Sequence, residues 1–202
     1  MTTKPEIVRL LALLMDGNQL KRIPRSGWLL RGVGPAETES VAEHTYGTAL
    51  TALFLAELID EDVDLARLLA MCLLHDLPET QLMDLPPAAV LHLTPAGKRK
   101  AEESALRSLL SGVRSSPALQ ALWTEFEEAS SVEGRLARDA DKLEMMIQAA
   151  CYERSGRRGL DEFWETMAQH RWEFPVCRKL FDELSARRRL EPKPHRPECQ
   201  QP

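Results

Sequence analysis

His75 and Asp76 stand side by side in the stretch LLHDLPETQLMDLPP (73–87), where an apolar run meets Pro78. A neutral imidazole and a carboxylate are ligands for borderline or hard divalent ions, and adjacent residues can reach one ion where the backbone breaks. A structural alternative also exists, in which His75 interacts with a helix dipole and Asp76 caps a turn. The pair alone therefore indicates a candidate metal site without deciding it.

His44 is a second candidate ligand. It follows Ser40 and Glu43, which have the spacing of a capping box, so we expect His44 in the first turn of a helix. The later face of that helix is apolar, with Leu50, Leu53, Phe54 and Leu58. A histidine near such a face is also explained as a satisfied core residue.

Asp139 and Asp141 supply a third candidate. They lie in RLARDADKLEMMIQAACYE (135–153), a largely apolar helix in which an ionised carboxylate is costly unless it is paired or binds a metal. Periodicity does not choose between the two aspartates. Ion pairing with Arg138 or Lys142 is the structural alternative.

Helical periodicity extends over almost the whole chain. Apolar spacing predicts a helix in PEIVRLLALLMDG that stops at Gly17, and another in DVDLARLLAMCLLHD that ends because of Pro78. We expect further helices over residues 96–112, 116–129, 132–154, 160–171 and 174–189. No stretch alternates with period two, and β-branched and aromatic residues are sparse. The sequence predicts an all-α bundle of about seven or eight helices.

Composition limits the classes of partner. The 202 residues are 44% hydrophobic and 28% charged, with a net charge of −5, so the basic footprint of a nucleic-acid-binding protein is missing. No apolar run is long enough to span a membrane. The four cysteines lack the paired spacing of zinc or disulfide frameworks, and Cys72 and Cys151 read as core residues. We expect no nucleic acid partner, no membrane and a cytoplasmic location.

The order of the candidates, His44, then His75-Asp76, then an aspartate on a later helix, resembles the HD-domain phosphohydrolases, whose ligands run H…HD…D across a helical bundle. LKRIPRSGWLLRGV, ESVAEHTYGTAL, LLHDLPETQLMDLPP and DADKLEMMIQAACYE are similar to segments of the 5′-deoxynucleotidase branch. The resemblance spans roughly residues 8–185. It implies an HD domain over residues 1–189, and the proline-rich end, 190–202, predicts a disordered tail.

The resemblance implies a metal-ligand set of His44, His75, Asp76 and Asp141, with DKLEMMIQA selecting Asp141 over Asp139. The ion would be a divalent metal, namely Co, Mn, Fe, Zn or Mg, and these ligand types do not choose among them. The resemblance also implies a small-molecule nucleotide substrate and a homodimer.

Four more roles follow from the resemblance. Glu79 would orient or deprotonate the attacking water, or protonate the leaving oxygen. Arg25 would clamp the phosphate and Trp28 would pack against the sugar or base. Asp84 would contact the sugar and disfavour a ribonucleotide. For Arg25 and Trp28, a solvated basic loop and a tryptophan covering the core are the structural alternatives.

The sequence departs from the family at two places. Met83 precedes Asp84 where we expect glycine, and two residues separate Arg25 from Trp28, as in eukaryotic-like members, whereas some bacterial members have the pair adjacent.

The implied activity is metal-dependent hydrolysis of deoxyribonucleoside 5′-monophosphates to deoxynucleoside and phosphate. One alternative is an HD phosphohydrolase for a ribonucleotide, a deoxynucleoside triphosphate or an alarmone. Another is a non-catalytic HD module that senses a nucleotide, although a sensor needs no water-activating carboxylate such as Glu79. A helical scaffold without a site would leave Asp76 and Asp141 unexplained.

Overall fold

Helices make up the architecture of this chain, for which a computed structural model describes residues 2–190. In chain order they are α1 (Lys4–Gly17), α2 (Ser26–Leu30), α3 (Val41–Leu55), α4 (Leu65–Leu74), α5 (Glu79–Leu82), α6 (Pro87–Val90), α7 (Pro95–Leu109), α8 (Ser116–Glu128), α9 (Val132–Arg154), α10 (Asp161–Ala168) and α11 (Pro175–Leu190). Eight of these have eight residues or more. Within residues 2–190 no strand is formed, so the all-α prediction is confirmed.

Local sequence sets the ends of the two helices that carry the histidines. Ser40 caps α3, because its hydroxyl accepts from the Glu43 N–H while the Glu43 carboxylate accepts from the Ser40 N–H. This is the predicted capping box, and it fixes His44 in the first turn. Helix α4 ends at Leu74, and a series of turns follows up to Pro78, as the proline predicts.

Helix α9 is the centre of the bundle. It packs against α3, α4, α8 and α11, and its buried apolar residues form one core with theirs. The α9 members of that core are Leu136, Ala137, Ala140, Leu143, Met146, Ala149 and Tyr152. Because polar residues of α9, of α3 and of the turn after α4 are buried next to this core, these elements can bring ionisable side chains together inside the protein.

Two apolar surfaces of long helices remain in solvent. The predicted apolar side of α1 is exposed at Ile7, Leu10, Leu11 and Leu14. Helix α1 is held in place by Arg9, whose guanidinium donates to the carbonyls of Ser108 and Leu109 at the end of α7, at 2.8 and 2.7 Å. On α3, Phe54 is likewise exposed. Amphipathic spacing therefore identified both helices correctly but did not reveal which side each one buries.

Three other expectations concern single features. Cys72 is buried, as expected, but Cys151 is exposed, so the prediction for Cys151 was wrong. The tail predicted for residues 190–202 lies outside the described residues, apart from Leu190. No helix in the described part of the chain is long and apolar enough to cross a membrane.

Candidate metal centre and phosphate pocket

His75 and Asp76 lie in the break that follows α4. The His75 N–H still donates to Met71 at 3.0 Å, so His75 caps the helix, and the chain then leaves the helical path before Pro78. Trp123 of α8 fixes this break, because its indole N–H donates to the His75 carbonyl at 3.1 Å. The break thus turns two adjacent side chains towards one point, as the sequence suggested.

The two imidazoles face each other, and each is held through its Nδ1. His44 is fully buried and its Nδ1–H donates to Glu144 Oε2 at 2.5 Å, while the His75 Nδ1–H donates to the Cys72 carbonyl at 2.7 Å. Each ring therefore directs Nε2 inwards, and the two Nε2 atoms are 3.4 Å apart. Hydrogen bonds of this kind to Nδ1 orient metal-binding histidines.

Two carboxylates complete the donor set. Asp76 Oδ2 lies 3.2 Å from His75 Nε2 and 3.7 Å from His44 Nε2, and Asp141 Oδ1 lies 3.2 Å from His44 Nε2. Ligands that bind one ion at about 2.1 Å lie roughly 3.0–3.4 Å apart. Since the two imidazoles and two carboxylates have nearly this spacing, the residues present fit a single divalent ion.

The charges around His44 favour a cation. Burial and the positive charge of Arg25 lower the pKa of His44, but hydrogen bonds to Asp141 and Glu144 outweigh both and raise the pKa to about 10. The cluster therefore stabilises positive charge at the point where the two rings meet.

The two aspartates are shifted in the opposite direction. Burial alone would raise the pKa of Asp76, but His75 and Arg25 hold it below its usual range. For Asp141, burial is outweighed by Lys142, whose Nζ is 2.9 Å from Asp141 Oδ2, and by the histidines, so its pKa is also lowered. Both side chains are therefore ionised near neutral pH, as metal ligands must be.

Asp139 has a different function from Asp141. It is buried, and its carboxylate accepts the backbone N–H groups of Glu173 and Phe174, at 3.2 and 2.9 Å, just before α11 begins. Geometry therefore places Asp141 at the centre and Asp139 at a helix junction, which periodicity alone could not decide.

A cavity of about 290 Å³ opens beside the donor set. Six of the eight predicted site residues line it: Arg25, His75, Asp76, Glu79, Asp84 and Asp141. These residues come from distant segments of the sequence, and the structure brings them together around one cavity.

Arg25 reaches this cavity through backbone pairing. Its N–H donates to the Glu39 carbonyl at 3.0 Å, and Pro24 forms an isolated antiparallel bridge with Ser40. The loop before α2 is thereby tied to the start of α3. The Arg25 guanidinium lies 3.2 Å from Asp76 Oδ2, which leaves it next to the donor set.

Asp84 and Glu79 also line the cavity. Asp84 Oδ2 accepts the Ser26 N–H at 2.5 Å, which joins the loop after α5 to the Arg25 loop. Glu79 Oε2 is buried without a hydrogen-bond partner among the described residues. Burial, followed by the charges of Asp76 and Asp84, raises the pKa of Glu79 to about 9.

Trp28 is not brought to the cavity wall. Its side chain is only 2% exposed, packs against Tyr152 and Phe163, and donates its indole N–H to Glu39 Oε1 at 2.6 Å. This position supports the alternative of a tryptophan that covers the core. A contact between Trp28 and a nucleotide stays a prediction.

Sequence reasoning missed Glu144 and Glu39, which lie behind His44. Both are buried, and burial followed by the charge of Glu144 raises the pKa of Glu39 to about 7. Gly47 makes room for Glu144, because a Cβ at position 47 would lie 2.6 Å from Glu144 Oε1. The sequence did contain a clue, since Glu144 follows Asp141 by three residues and shares its helix face.

Fold and site together define a class of protein: an all-helical bundle whose buried imidazoles and carboxylates suit one divalent ion beside an arginine-lined cavity. The family model described as "HD domain" matches residues 17–178. The chain belongs to the HD domain family.

Individual relatives agree with this assignment. The 5′-deoxynucleotidase HDDC2 of Bos taurus is 34% identical over 185 residues, which are 89% of this chain and 85% of the relative. The 5′-deoxynucleotidase YGK1 of Saccharomyces cerevisiae is 29% identical over 177 residues, or 80% and 75%. A conserved hypothetical protein from Pyrococcus furiosus has a similar solved structure, with TM-score 0.76 and 36% identity over 87% of this chain and 99% of that chain.

Proposed function

We propose that this protein is a metal-dependent 5′-deoxynucleotidase, which hydrolyses deoxyribonucleoside 5′-monophosphates to deoxynucleoside and phosphate. The observation that carries the proposal is the convergence of His44 Nε2, His75 Nε2 and two aspartate oxygens beside Arg25. Such a set binds a divalent ion next to a phosphate-binding cation. Similarity to curated 5′-deoxynucleotidases supports the choice of substrate.

The metal would be held by His44, His75, Asp76 and Asp141. When bound, a divalent ion such as Co²⁺ or Mn²⁺ polarises the phosphoryl group and lowers the pKa of coordinated water. The protein's own residues position the substrate. Arg25 donates charge-assisted hydrogen bonds to the phosphate oxygens, and its backbone pairing with the start of α3 keeps it in place.

Glu79 is the residue that would transfer a proton during hydrolysis. Without the ion, burial and the charges of Asp76 and Asp84 raise the pKa of Glu79 to about 9, and its buried Oε2 has no partner in the described part of the chain. These two properties favour donation of the proton to the leaving 5′-oxygen as the P–O bond breaks. The alternative role, activation of the attacking water, would require Glu79 to be ionised.

Asp84 would discriminate against a ribose. One of its oxygens is held by the Ser26 N–H, so its carboxylate has a fixed orientation in the cavity wall. A fixed carboxylate next to the sugar would contact the 3′-hydroxyl of a deoxyribose and leave little room for the 2′-hydroxyl of a ribose. Packing of Trp28 against the sugar or base stays a prediction, since its ring contacts Tyr152 and Phe163 in the core.

The first test is phosphate release by metal-stripped protein reloaded with cobalt or manganese, on matched deoxy- and ribonucleoside 5′-monophosphates. We expect metal-dependent release from the deoxy substrates. Equal release from both would retain the metal site and remove sugar selection. Release of phosphate only from deoxynucleoside triphosphates or an alarmone would favour another HD phosphohydrolase. Nucleotide binding without release of phosphate from any of these substrates would favour a sensor.

A second test addresses the ligands. His75→Ala and Asp76→Ala should each abolish metal retention, measured by elemental analysis after gel filtration, and turnover should fall at least a hundredfold. Retention of metal together with full activity in either variant would contradict the ligand assignment.

We also propose that the protein forms a homodimer in the cytoplasm. Exposed apolar residues on α3, α9 and α11 support a self-association surface, with Leu50, Phe54, Leu58, Ile147 and Leu180 lining one groove. Sedimentation equilibrium measures the mass directly, and a monomer at micromolar concentration would contradict the dimer.

A further inference from the structure

Met83 has a backbone conformation that side chains rarely adopt. Its φ of 62° and ψ of 169° fall in a region that is occupied almost entirely by glycine. Ala129 is the only other non-glycine residue with positive φ in the described chain, and its ψ of 38° places it in the more accessible left-handed helical region. The strain at Met83 is therefore the greater of the two.

Contacts on both sides hold Met83 in this conformation. Its N–H donates to the Glu79 carbonyl at 2.9 Å, which closes α5, and the neighbouring Asp84 carboxylate accepts the Ser26 N–H at 2.5 Å. The loop path is thus determined by the need to place Glu79 and Asp84 in the cavity. A glycine at position 83 would follow the same path without strain.

The Met83 side chain does not recover this cost by packing within the protein. It is 54% exposed although it is large and apolar, and it lines the cavity together with Leu82, Leu85 and Phe126. Leu82, Met83 and Leu85, which are close together along the chain, supply the apolar part of an otherwise charged cavity, whereas Phe126 packs against His75. A strained residue whose side chain stands in a binding cavity points to a ligand contact.

We propose that Met83 is a substrate-contacting residue, whose thioether packs against the nucleobase of the bound nucleotide. The inference rests on the proposed function. A nucleoside monophosphate has a charged phosphate, a polar sugar and a base with apolar faces. Arg25 and the metal ligands match the phosphate and Asp84 matches the sugar, so the apolar part of the cavity matches the base. Methionine is suited to such a contact, because it is flexible and its sulfur interacts favourably with aromatic rings.

Two substitutions separate contact from strain. Met83→Ala removes the thioether but keeps a Cβ and hence the backbone strain, whereas Met83→Gly removes both. We expect both variants to raise KM for deoxynucleoside monophosphates about tenfold. Met83→Gly alone should also raise the thermal midpoint, by about 2–4 °C. Met15→Ala is the matched control, since Met15 is an exposed methionine of α1 that does not line the cavity, and its KM should equal that of wild type.

A substrate without a base provides the deciding comparison. On 2-deoxyribose 5-phosphate, Met83→Ala should have the same KM as wild-type protein, since the lost contact is to the base. An unchanged KM on nucleotides, or an equal rise on both substrates, would overturn the inference while leaving the proposed function intact. If wild-type protein released no phosphate from any deoxynucleoside monophosphate, the proposed function and this inference would both fail.

Discussion

Asp139 and Asp141 lie two positions apart in α9, and their side chains make different contacts. Successive residues are about 100° apart around a helix, so these two side chains point in nearly opposite directions. Asp141 faces His44, and Asp139 faces the backbone before α11. The same residue type thus serves the metal centre on one side of α9 and the packing of α11 on the other.

Replacing each aspartate by asparagine should therefore have different effects on metal retention and stability. Asp139→Asn replaces an acceptor by an amide that cannot satisfy both backbone donors equally well, and should lower the free energy of unfolding by about 1–3 kcal/mol with full metal retention. Asp141→Asn should lose the metal, and it should also lower the stability of the metal-free protein, because the lowered pKa of Asp141 means that the folded state favours its ionised form. Urea unfolding and elemental analysis measure the two quantities. Reversed results would mean that the geometry of α9 has been misassigned.

In the proposed metal site, Glu144 would act on the metal through its hydrogen bond with His44. Glu144→Gln keeps a neutral acceptor for the His44 Nδ1–H but removes the charge that strengthens this bond, so we expect metal affinity to fall about tenfold or more. Competition with a chromophoric chelator measures the affinity. Glu153→Gln is the matched control on the same helix, because Glu153 pairs with Arg188 at 2.7 Å, away from the site. Equal affinities in the two variants would contradict a positioning role for Glu144.

At the scale of elements, the sequence predicted helices far better than the surfaces they bury. The caps at Ser40 and Pro78 are local chemistry, and both were identified from a few neighbouring residues. The side that α1 exposes depends instead on Arg9 reaching α7, a contact across about a hundred residues that no local pattern encodes. For the same reason the residues alone gave only candidate ligands, and a family resemblance was needed to propose the complete set, while Glu144 emerged only from packing.

The close approach of α3 to α9 leads to a prediction at this scale. Gly47 lies against Glu144, and a Cβ there would come within 2.6 Å of Oε1, so Gly47→Ala must displace that carboxylate from His44. Metal affinity should fall as it does in Glu144→Gln. The double variant, Gly47→Ala with Glu144→Gln, should lose no more metal affinity than either single variant. Gly17→Ala, where the new Cβ would meet Leu77 at an ordinary 3.8 Å, is the control. Additive losses would show that the two positions act independently.

At the scale of the whole molecule, the interior holds more acid than its histidines can neutralise. Glu39, Asp139, Asp141 and Glu144 are all buried, and with Asp76 and Glu79 they give the bundle more acidic groups than histidines, of which Asp76 and Asp141 are held in the ionised form. A divalent ion that binds only the folded state compensates part of this charge and stabilises the fold by mass action. The stability of the metal-free protein should consequently depend on which of these acids carry protons.

Glu39 makes this dependence measurable. Its pKa rises from 4.5 to about 7 on folding, so the folded state binds its proton more tightly than the unfolded state. The resulting contribution to stability is complete below about pH 4.5 and is lost as pH rises through about 7, up to ~3 kcal/mol in all. Glu39→Gln keeps an acceptor for the Trp28 indole and cannot ionise. The stability of the variant relative to wild type should therefore increase between pH 5 and pH 8 in urea unfolding of metal-free protein. Glu165→Gln, on the exposed side of α10, controls for loss of a surface charge. If the difference in the free energy of unfolding between Glu39→Gln and wild type stayed constant across this range, Glu39 would not titrate between pH 5 and pH 8.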